Sequence, residues 1–268
     1  MRNSGLAIKS ILDTEENDVE TSLTRLQTFY GQLEGKELLQ AMINDEFPDE
    51  IAMVSSFGAG SAVLLAMVAE VNPATPIVFL DTGKHFKETL EYVDTIKNKL
   101  GLTNLVTLHP DTNLLKNSDP KGDLWQSNPN RCCWLRKVAP LEKYLDDNKI
   151  KALITGRKRY QTVLRAHMNN IELHEDNRFR VNPLAGWNQQ MTISEFKRMG
   201  LPEHPLVAKG YLSIGCEPCT VPVKPGQDER AGRWAHTADM PGGQQKVECG
   251  LHVEGKSAYA PAKPVWEI

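Results

Sequence analysis

The chain has 268 residues, of which 40% are hydrophobic and 24% are charged, and its formal net charge is -3. This composition is typical of an ordinary globular protein, and without a basic excess a nucleic acid is not the expected partner. The N-terminal stretch turns acidic without a sustained apolar run, and the densest apolar segment, Val63–Ala69, is too short to cross a bilayer. We therefore expect a soluble, cytoplasmic protein that does not bind a membrane.

The predicted elements alternate between short apolar strands and amphipathic helices. Residues 1–45 are predicted to be helical, with apolar residues spaced three and four apart. Strands and helices then alternate through "IAMVSS" (51–56), "SAVLLAMVAE" opened by Ser61, "PIVFLDTG" (76–83), "HFKETLEYVDTIKNKLG" ended by Gly101, "NLVTLHP", the helix through "WLRKVAPLEKYLDDN", and "ALITG" (152–156). From about residue 205 this alternation stops, and Gly, Pro, Lys, Arg and three of the cysteines dominate.

This alternation predicts an α/β fold with a doubly wound parallel sheet. Ligands of such sheets bind at the carboxyl ends of the strands, where the strand order reverses. We therefore place the segments "SSFGAGS", "LDTG" and "TGRKR" on one rim of the sheet. We predict three regions: an N-terminal helical segment (1–45), a nucleotide-binding α/β core (46–205), and a C-terminal segment (206–268) that ends in a flexible tail.

The segment "SSFGAGS" is the first candidate site, because a strand ends there and a helix begins at once. Backbone N–H groups at a helix N-terminus can hold a phosphate or sulfate, and Gly58 and Gly60 have no Cβ to obstruct them. Ser55, Ser56 and Ser61 add hydroxyl groups. An ordinary tight turn is the alternative. The loop is not a Walker A motif, since no Gly-Lys-Ser/Thr follows.

Two basic segments, "GRKRYQTVLR" and "DERAGRW", supply cations for such an anion. The planar guanidinium group of arginine suits bidentate binding of phosphate and sulfate oxygens. Taken alone, each cluster is more often a solvated face. Together with the glycine loop, they favour a nucleotide-like anion. The predicted substrate-binding residues on the rim and in the basic segments are Ser55, Ser56, Phe57, Gly58, Ser61, Leu80, Asp81, Thr82, Gly83, Arg157, Arg159, Arg165, Arg230 and Arg233.

The five cysteines divide into four candidate metal ligands and one further thiol. Cys132 and Cys133 are adjacent, and Cys216 and Cys219 form a Cys-x-x-Cys pair. Four thiolates suit tetrahedral zinc or an iron-sulfur cluster, and spacing alone does not choose between them. Two adjacent cysteines are awkward on a single zinc ion, whereas a larger cluster accepts both more readily. Cys249, in "VECGLH", is not needed as a ligand.

The motifs "SSFGAGS", "LDTGKHFKETLEYVD", "CCWLRKVAPL", "ITGRKR", "GYLSIGCEPCT", "ERAGRW" and "ECGLH" resemble those of the assimilatory adenylyl-sulfate reductases and their phosphoadenylyl-sulfate relatives, in order from about residue 50 to 252. The resemblance implies an adenine nucleotide alpha-hydrolase-like fold and a 4Fe-4S cluster on Cys132, Cys133, Cys216 and Cys219. Because the phosphoadenylyl-sulfate branch typically lacks these cysteines, it also implies adenylyl sulfate as the substrate. This chain departs from the family at Gly60, which is commonly acidic, and at "YQTVLR".

The resemblance implies a reaction in which the Cys249 thiolate attacks the sulfur of adenylyl sulfate, expels AMP and becomes an S-sulfocysteine. A thiol of thioredoxin or glutaredoxin then attacks this sulfur and releases sulfite. The arginine clusters favour the thiolate, Lys137 is predicted to link cluster and substrate electrostatically, and His252 is a candidate assistant at i+3.

Two alternatives remain open on the sequence. A phosphoadenylyl-sulfate reductase would need extra cationic contacts to a 3′-phosphate. A non-catalytic iron-sulfur sensor that binds an adenine nucleotide would have no use for Cys249. The sequence does not decide between a monomer and a homo-oligomer, or between the two thiol reductants.

Overall fold

The protein is described by a computed structural model in which residues 18–240 and 246–252 are placed. Within these ranges the strands are β1 (Ile51–Ser55), β2 (Ile77–Leu80), β3 (Leu105–Leu108), β4 (Ala152–Ile154), β5 (Ile171–Leu173) and β6 (Phe179–Val181). They form one sheet in the order β3-β2-β1-β4-β6-β5, and every neighbouring pair is parallel except β5 with β6. The predicted parallel α/β sheet is confirmed, with an antiparallel edge strand added.

Helices connect the strands and cover both faces of the sheet. They are α1 (residues 18–30), α2 (Gly35–Gln40), α3 (Ala62–Val71), α4 (Lys87–Leu100), α5 (Thr112–Ser118), α6 (Leu124–Ser127), α7 (Pro129–Cys133), α8 (Ala139–Asp147) and α9 (Gln189–Arg198). The π-helical turn Ala41–Glu46 continues α2, and the π-helical turn Trp134–Val138 joins α7 to α8. Gly101 ends α4 at φ 63°, in the left-handed region that glycine adopts without strain, as predicted.

The core lies on both sides of the central strands. Ile51 and Met53 of β1 point into the larger apolar cluster, which includes buried residues of α2 and α3. Ala52, between them, belongs to a second cluster with Leu141 and Leu145 of α8. Alternate residues of one strand therefore pack against helices on opposite faces, as a doubly wound sheet requires.

The N-terminal helices are part of the main core. Leu26 of α1, Leu38 of α2 and Met42 of the following π-helical turn are all buried in the larger cluster. The helical character predicted for residues 1–45 is confirmed from residue 18 on, except at the connection between α1 and α2. Residues 1–17 lie outside the described ranges. The division of the chain into three regions stays a prediction.

The sheet reverses its strand order between β1 and β4. Strands β2 and β3 lie on one side of this pair, and β6 and β5 lie on the other. The loops that follow β1 and β4 therefore open into the same crevice, which is where ligands of doubly wound sheets bind. The "LDTG" segment follows β2, one strand further along the same rim.

The described residues after α9 form short 3₁₀ turns instead of strands and long helices, among them Val207–Lys209, Glu217–Cys219 and Gly250–His252. An isolated bridge between His85 and Cys216 attaches this segment to the loop after β2, and a second bridge, between Thr220 and Arg233, lies within the segment. Residues 246–252, here called the tail segment, end the described chain. The predicted flexible tail lies mostly outside the described ranges. No helix within those ranges combines the length and the apolar character that a membrane crossing requires.

Candidate active site

A cavity of about 620 Å³ opens at the crevice between β1 and β4, and we call it the rim cavity. Its walls come from the two strand-end loops, α9, the segment after residue 202 and the tail segment. The volume lies within the usual range for a small-molecule site. The predicted residues that line it are Ser55, Ser56, Gly58, Ser61, Lys137, Arg157, Arg165, Arg230, Arg233, Cys249 and His252.

The loop after β1 is fixed by its own hydrogen bonds. The Ser55 hydroxyl accepts from the Phe57 N–H at 3.2 Å, and the Ser61 hydroxyl donates to the Gly58 carbonyl at 2.7 Å. A Cβ on Gly58 would lie 3.2 Å from the Ile214 carbonyl oxygen, so close packing favours glycine there. Phe57 itself is fully buried and packs edge-to-face on Phe79, so its side chain anchors the loop in the core.

Gly60 leaves open space in this loop. The only atom near a Cβ built there is the Lys158 Nζ, 4.0 Å away, among the described residues. Lys158 lines the cavity and is only 3% exposed, and burial, opposed by Glu229, lowers its pKa to about 8. A buried cation beside the glycine loop suits a bound anion. This lysine was not among the predicted substrate-binding residues.

The arginines of "GRKR" have separate surroundings. Arg157 lines the cavity but pairs with Glu172 at 2.9 Å, and its Nε donates to the Thr155 hydroxyl. Arg159 donates to the Met168 carbonyl at 2.8 Å and is not among the described residues that line the cavity. Arg159 therefore braces the loop between β4 and β5, whereas Arg157 presents a partly neutralised guanidinium to the cavity.

The tail segment is tied to two other arginines of the cavity. Glu248 is 5% exposed, its carboxylate accepts a hydrogen bond from Arg165 Nη2 at 2.9 Å, and its other oxygen lies 2.7 Å from the same nitrogen. Arg230 Nη2 lies 3.6 Å from the same carboxylate and donates to the Val247 carbonyl at 3.0 Å. Burial lowers the pKa of Arg230 to about 10, opposed by Glu248. The residues next to Cys249 are thus held from the cavity wall.

A second, much smaller site adjoins the cavity, and we call it the cysteine pocket. Its lining includes all four predicted ligands, Cys132, Cys133, Cys216 and Cys219, together with the cations Lys84, Arg136, Lys137 and Arg233. The first two cysteines end α7, whose N-terminus is capped by the Asn128 side chain. The described ranges contain no group of three or more His, Cys, Asp or Glu side chains already arranged to hold a metal ion.

The "LDTG" segment contacts the cysteine pocket and not the rim cavity. The Thr82 hydroxyl lies 3.3 Å from the Cys216 sulfur, and the Thr82 carbonyl accepts from Arg136 at 2.8 Å. Arg136 also forms a buried ion pair with Asp119 at 2.6 Å. Leu80 packs in the core, and the Asp81 carboxylate accepts from the Gly83 N–H. None of these four predicted substrate-binding residues is among the described residues that line the rim cavity.

Cys249 and Lys137 lie where the two sites meet. Lys137 lines both of them, and the half-buried Cys249 is hydrogen-bonded by the Cys133 thiol. This hydrogen bond and the charge of Lys137 lower the pKa of Cys249, against the opposing effect of burial. Burial alone would lower the pKa of Lys137, but Cys216, Cys249 and Cys133 outweigh it and raise that pKa. The arrangement favours a thiolate next to an ammonium group.

Two further residues of the junction were missed by the sequence reasoning. Trp234 is 2% exposed, lines both sites, and its ring contacts the Arg233 guanidinium at 4.3 Å and the Lys246 Nζ at 5.5 Å. Glu248 is the partner of Arg165 and Arg230 described above. Both residues could have been found from their neighbours in the sequence, because Trp234 directly follows the arginines of "ERAGRW" and Glu248 directly precedes Cys249. His252 lines the cavity, and its backbone N–H donates to the Cys249 carbonyl at 3.0 Å.

Comparisons with known proteins give one consistent family. Residues 50–222 match the phosphoadenosine phosphosulfate reductase domain. The adenosine 5'-phosphosulfate reductase of Chelativorans sp. (strain BNC1) is 46% identical over 247 residues, which cover 91% of this chain and 96% of that protein. The enzyme of the same name from Mesorhizobium japonicum is 45% identical and covers 90% of this chain and 91% of its own length.

Solved structures share the fold at lower identity. A phosphoadenylyl-sulfate reductase from Candida auris, in a phosphate complex, has a TM-score of 0.63 at 24% identity, covering 74% of this chain and 96% of that one. An FMN adenylyltransferase from Candida glabrata has a TM-score of 0.51 at 18% identity, covering 79% and 77%. These likenesses show the predicted adenine nucleotide alpha-hydrolase-like fold.

Proposed function

The chain belongs to the phosphoadenosine phosphosulfate reductase domain family, and from that premise we propose that it reduces adenylyl sulfate to sulfite and AMP through Cys249. The observation that carries the proposal is the position of Cys249, beside Lys137, at the junction of the rim cavity and the cysteine pocket. Relatives that are 46% and 45% identical over about nine-tenths of this chain are named adenosine 5'-phosphosulfate reductases.

The rim cavity is the proposed site for adenylyl sulfate. Its position at the strand-order reversal is typical of nucleotide sites in doubly wound sheets. The glycine loop and Lys158 supply donors at one side of the cavity, while Arg165, Arg230 and Arg233 supply cations near the tail segment. The phosphosulfate group would lie among these cations, with its sulfur toward Cys249.

The first step is a displacement at sulfur. The Cys249 thiolate forms a bond to the sulfur of the substrate, the bond between that sulfur and the bridging oxygen breaks, and AMP leaves with the electron pair. The product on the protein is an S-sulfocysteine. Lys137 holds positive charge beside the attacking sulfur, which keeps Cys249 ionised and offsets the charge of the approaching anion.

The second step uses a dithiol reductant such as thioredoxin or glutaredoxin. One of its thiolates attacks the Cys249 sulfur, forms a mixed disulfide and expels sulfite. The second thiol of the reductant then breaks the mixed disulfide and restores the Cys249 thiol. The two electrons come from the reductant, so the protein's other cysteines need not change oxidation state. All five cysteines are free thiols in the structure, which suits a reducing cytoplasm.

We propose that Cys132, Cys133, Cys216 and Cys219 hold a 4Fe-4S cluster. The residues fit the group in two respects: four thiols line one pocket, and four cations line it with them, which would balance the charge of the thiolate ligands. When bound, the cluster would link α7 to the C-terminal segment and would add its electrostatic field to the site. Cys133 would then exchange its hydrogen bond to Cys249 for a metal bond, leaving Lys137 to favour the Cys249 thiolate.

Sulfite release with adenylyl sulfate and phosphoadenylyl sulfate, measured side by side with the same reductant, tests the proposal. We expect the larger kcat/KM for adenylyl sulfate and no sulfite from Cys249→Ser with either substrate. A preference for the 3′-phosphorylated nucleotide would make the chain a phosphoadenylyl-sulfate reductase. Nucleotide binding without sulfite release, in metal-loaded protein with reductant present, would instead favour a sensor.

A further inference from the structure

Glu248 is a buried carboxylate that the proposed chemistry does not use. Its side chain is 4% exposed, and it lies in the sequence directly before the nucleophile Cys249. Burying a carboxylate is costly unless cations and hydrogen bonds compensate for the lost water. Arg165 compensates here, with Nη2 at 2.7 and 2.9 Å from the two carboxylate oxygens.

Both arginines that contact Glu248 belong to the wall of the rim cavity. Arg230 contributes twice, through the carboxylate at 3.6 Å and through the Val247 carbonyl at 3.0 Å. Each arginine also has a buried Nε for which the described residues provide no acceptor. The pair therefore has donor capacity beyond what Glu248 uses, and one guanidinium can contact two different anions through its separate N–H groups.

The tail segment has another anchor, which does not involve these arginines. The Lys246 N–H donates to the Thr237 hydroxyl at 2.8 Å, and its ammonium group contacts Asn130 and the Trp234 ring. The segment is thus held at one end by a lysine that reaches α7 and Trp234. Nearer Cys249, it is held by a glutamate that reaches the arginines of the cavity.

We propose that Glu248 is a positioning residue, whose pairing with Arg165 and Arg230 fixes Cys249 at the rim cavity and couples closure of the tail segment to binding of the nucleotide anion. This inference rests on the proposed function for the role of Cys249. An anion that binds Arg165 and Arg230 fixes their guanidinium groups, and these same groups hold Glu248. By thermodynamic linkage, closure of the tail must then favour anion binding in return. Glu248 touches no reacting atom in this scheme and acts through the backbone it shares with Cys249.

The test compares Glu248→Gln with Lys246→Met. Glu248→Gln keeps the size of the side chain and removes its charge, whereas Lys246→Met removes the ammonium contacts of the other anchor and leaves the arginines paired. Glu46→Gln is the matched control, because it makes the same change in the ion pair with Arg25, which is not among the described residues that line either site. Three quantities are measured on the full chain: hydrogen exchange of residues 246–252 with and without AMP, the dissociation constant of AMP, and the single-turnover rate of S-sulfocysteine formation.

In the wild type we expect saturating AMP to slow exchange in residues 246–252. In Glu248→Gln we expect faster exchange and the loss of this protection. Breaking a buried ion pair from one side is strongly destabilising, so the tail segment should hold Cys249 at the cavity for a smaller fraction of the time. We therefore expect adduct formation at saturating adenylyl sulfate to be at least about tenfold slower. By the same linkage, AMP should bind at least about fivefold more weakly to Glu248→Gln than to the wild type, because the closed tail no longer favours the bound anion. Lys246→Met should also exchange faster but should keep the protection by AMP, and Glu46→Gln should match the wild type.

Protection by AMP that survives in Glu248→Gln would overturn the inference, and so would an unchanged rate of adduct formation. An unchanged dissociation constant of AMP in Glu248→Gln would also overturn it, because a tail that closes with the anion must strengthen anion binding in return. The exchange and AMP measurements do not depend on sulfur chemistry. If the wild type forms no adduct on Cys249, the proposed function fails, and these two measurements still decide whether Glu248 couples the tail to the cavity.

Discussion

The rim cavity and the cysteine pocket share Lys137, Arg233 and Trp234 but are built in different ways. The cavity follows from the topology of the sheet, since its floor consists of the loops after β1 and β4. The cysteine pocket depends on the C-terminal segment, which folds back so that Cys216 and Cys219 meet α7. Substrate recognition and thiolate clustering are therefore separable, and the chemistry is expected where they meet.

Among the variants, Cys216→Ser should have the most different effects on the two sites. This change removes one proposed ligand without touching the rim cavity, so we predict loss of the cluster and of sulfite formation, with AMP binding retained. Anaerobically purified wild-type protein should contain about four irons and four sulfides per chain. Iron and sulfide assays and AMP titration measure both halves of the prediction. Stoichiometric zinc without iron in the wild type would contradict the assignment of the metal site.

Lys137→Met tests the junction itself. We predict that adduct formation slows by about 10²–10³, the usual cost of removing one preorganised charge partner from a reacting group. Single-turnover mass spectrometry at saturating adenylyl sulfate measures the rate. Lys209→Met, at an exposed ion pair with Glu88, is the control and should keep the wild-type rate. A Lys137→Met rate within a few-fold of the wild type would remove this lysine from the mechanism.

Asp119→Asn weakens the support of the cysteine pocket alone. Asp119 and Arg136 form a buried ion pair at 2.6 Å, and Arg136 also holds the carbonyl of Thr82 beside Cys216. Leaving Arg136 without its charge partner should lower the free energy of unfolding by about 3 kcal/mol. Urea denaturation measures it, with Glu195→Gln, whose partner Arg198 is exposed, as a control expected within about 0.5 kcal/mol. Equal losses in the two variants would show that the buried pair has no special role.

The smallest effect concerns the pH dependence of AMP binding. Lys158 has a pKa of about 8 in the free protein, so it is charged at pH 7 and mostly neutral at pH 9. If AMP binds only the charged form, its dissociation constant should rise about tenfold between these pH values. Calorimetry in a Cys249→Ser background, which removes the titrating thiol, measures the change. Lys158→Arg should flatten the profile, and an unchanged profile in that variant would assign the titration to another group.

The strands and helices of the core could be predicted because their signal is local. A few neighbouring residues are enough to show this signal. Examples are the apolar runs 51–56 and 76–83 and the periodic helix that ends at Gly101. Strands β5 and β6 are as short as β4, but a charged residue, Glu172 or Arg180, interrupts the apolar run in each of them. Helix α9 has no buried residue, so its sequence lacks a strong apolar stripe.

The candidate site could be predicted only where the residue types and their spacing within one short motif already indicate a role. The four cysteines and the arginines of "ERAGRW" are of this kind, and the structure places them together. Phe57 in "SSFGAGS" and Arg159 in "ITGRKR" also stand inside motifs, but packing directs their side chains into the core and the β4–β5 loop. The pairing of Arg165 with Glu248 joins residues 83 positions apart, and no local pattern encodes such a contact.

The most direct test of the account is the mass of the Cys249 peptide after incubation with adenylyl sulfate and no thiol reductant. The account predicts one turnover, one AMP released per chain, and a gain of one SO₃ group on Cys249 that thioredoxin removes as sulfite. Cys249→Ser should show no adduct, yet should keep its iron and bind AMP. An adduct on Cys132, Cys133, Cys216 or Cys219, or loss of iron in Cys249→Ser, would contradict the account.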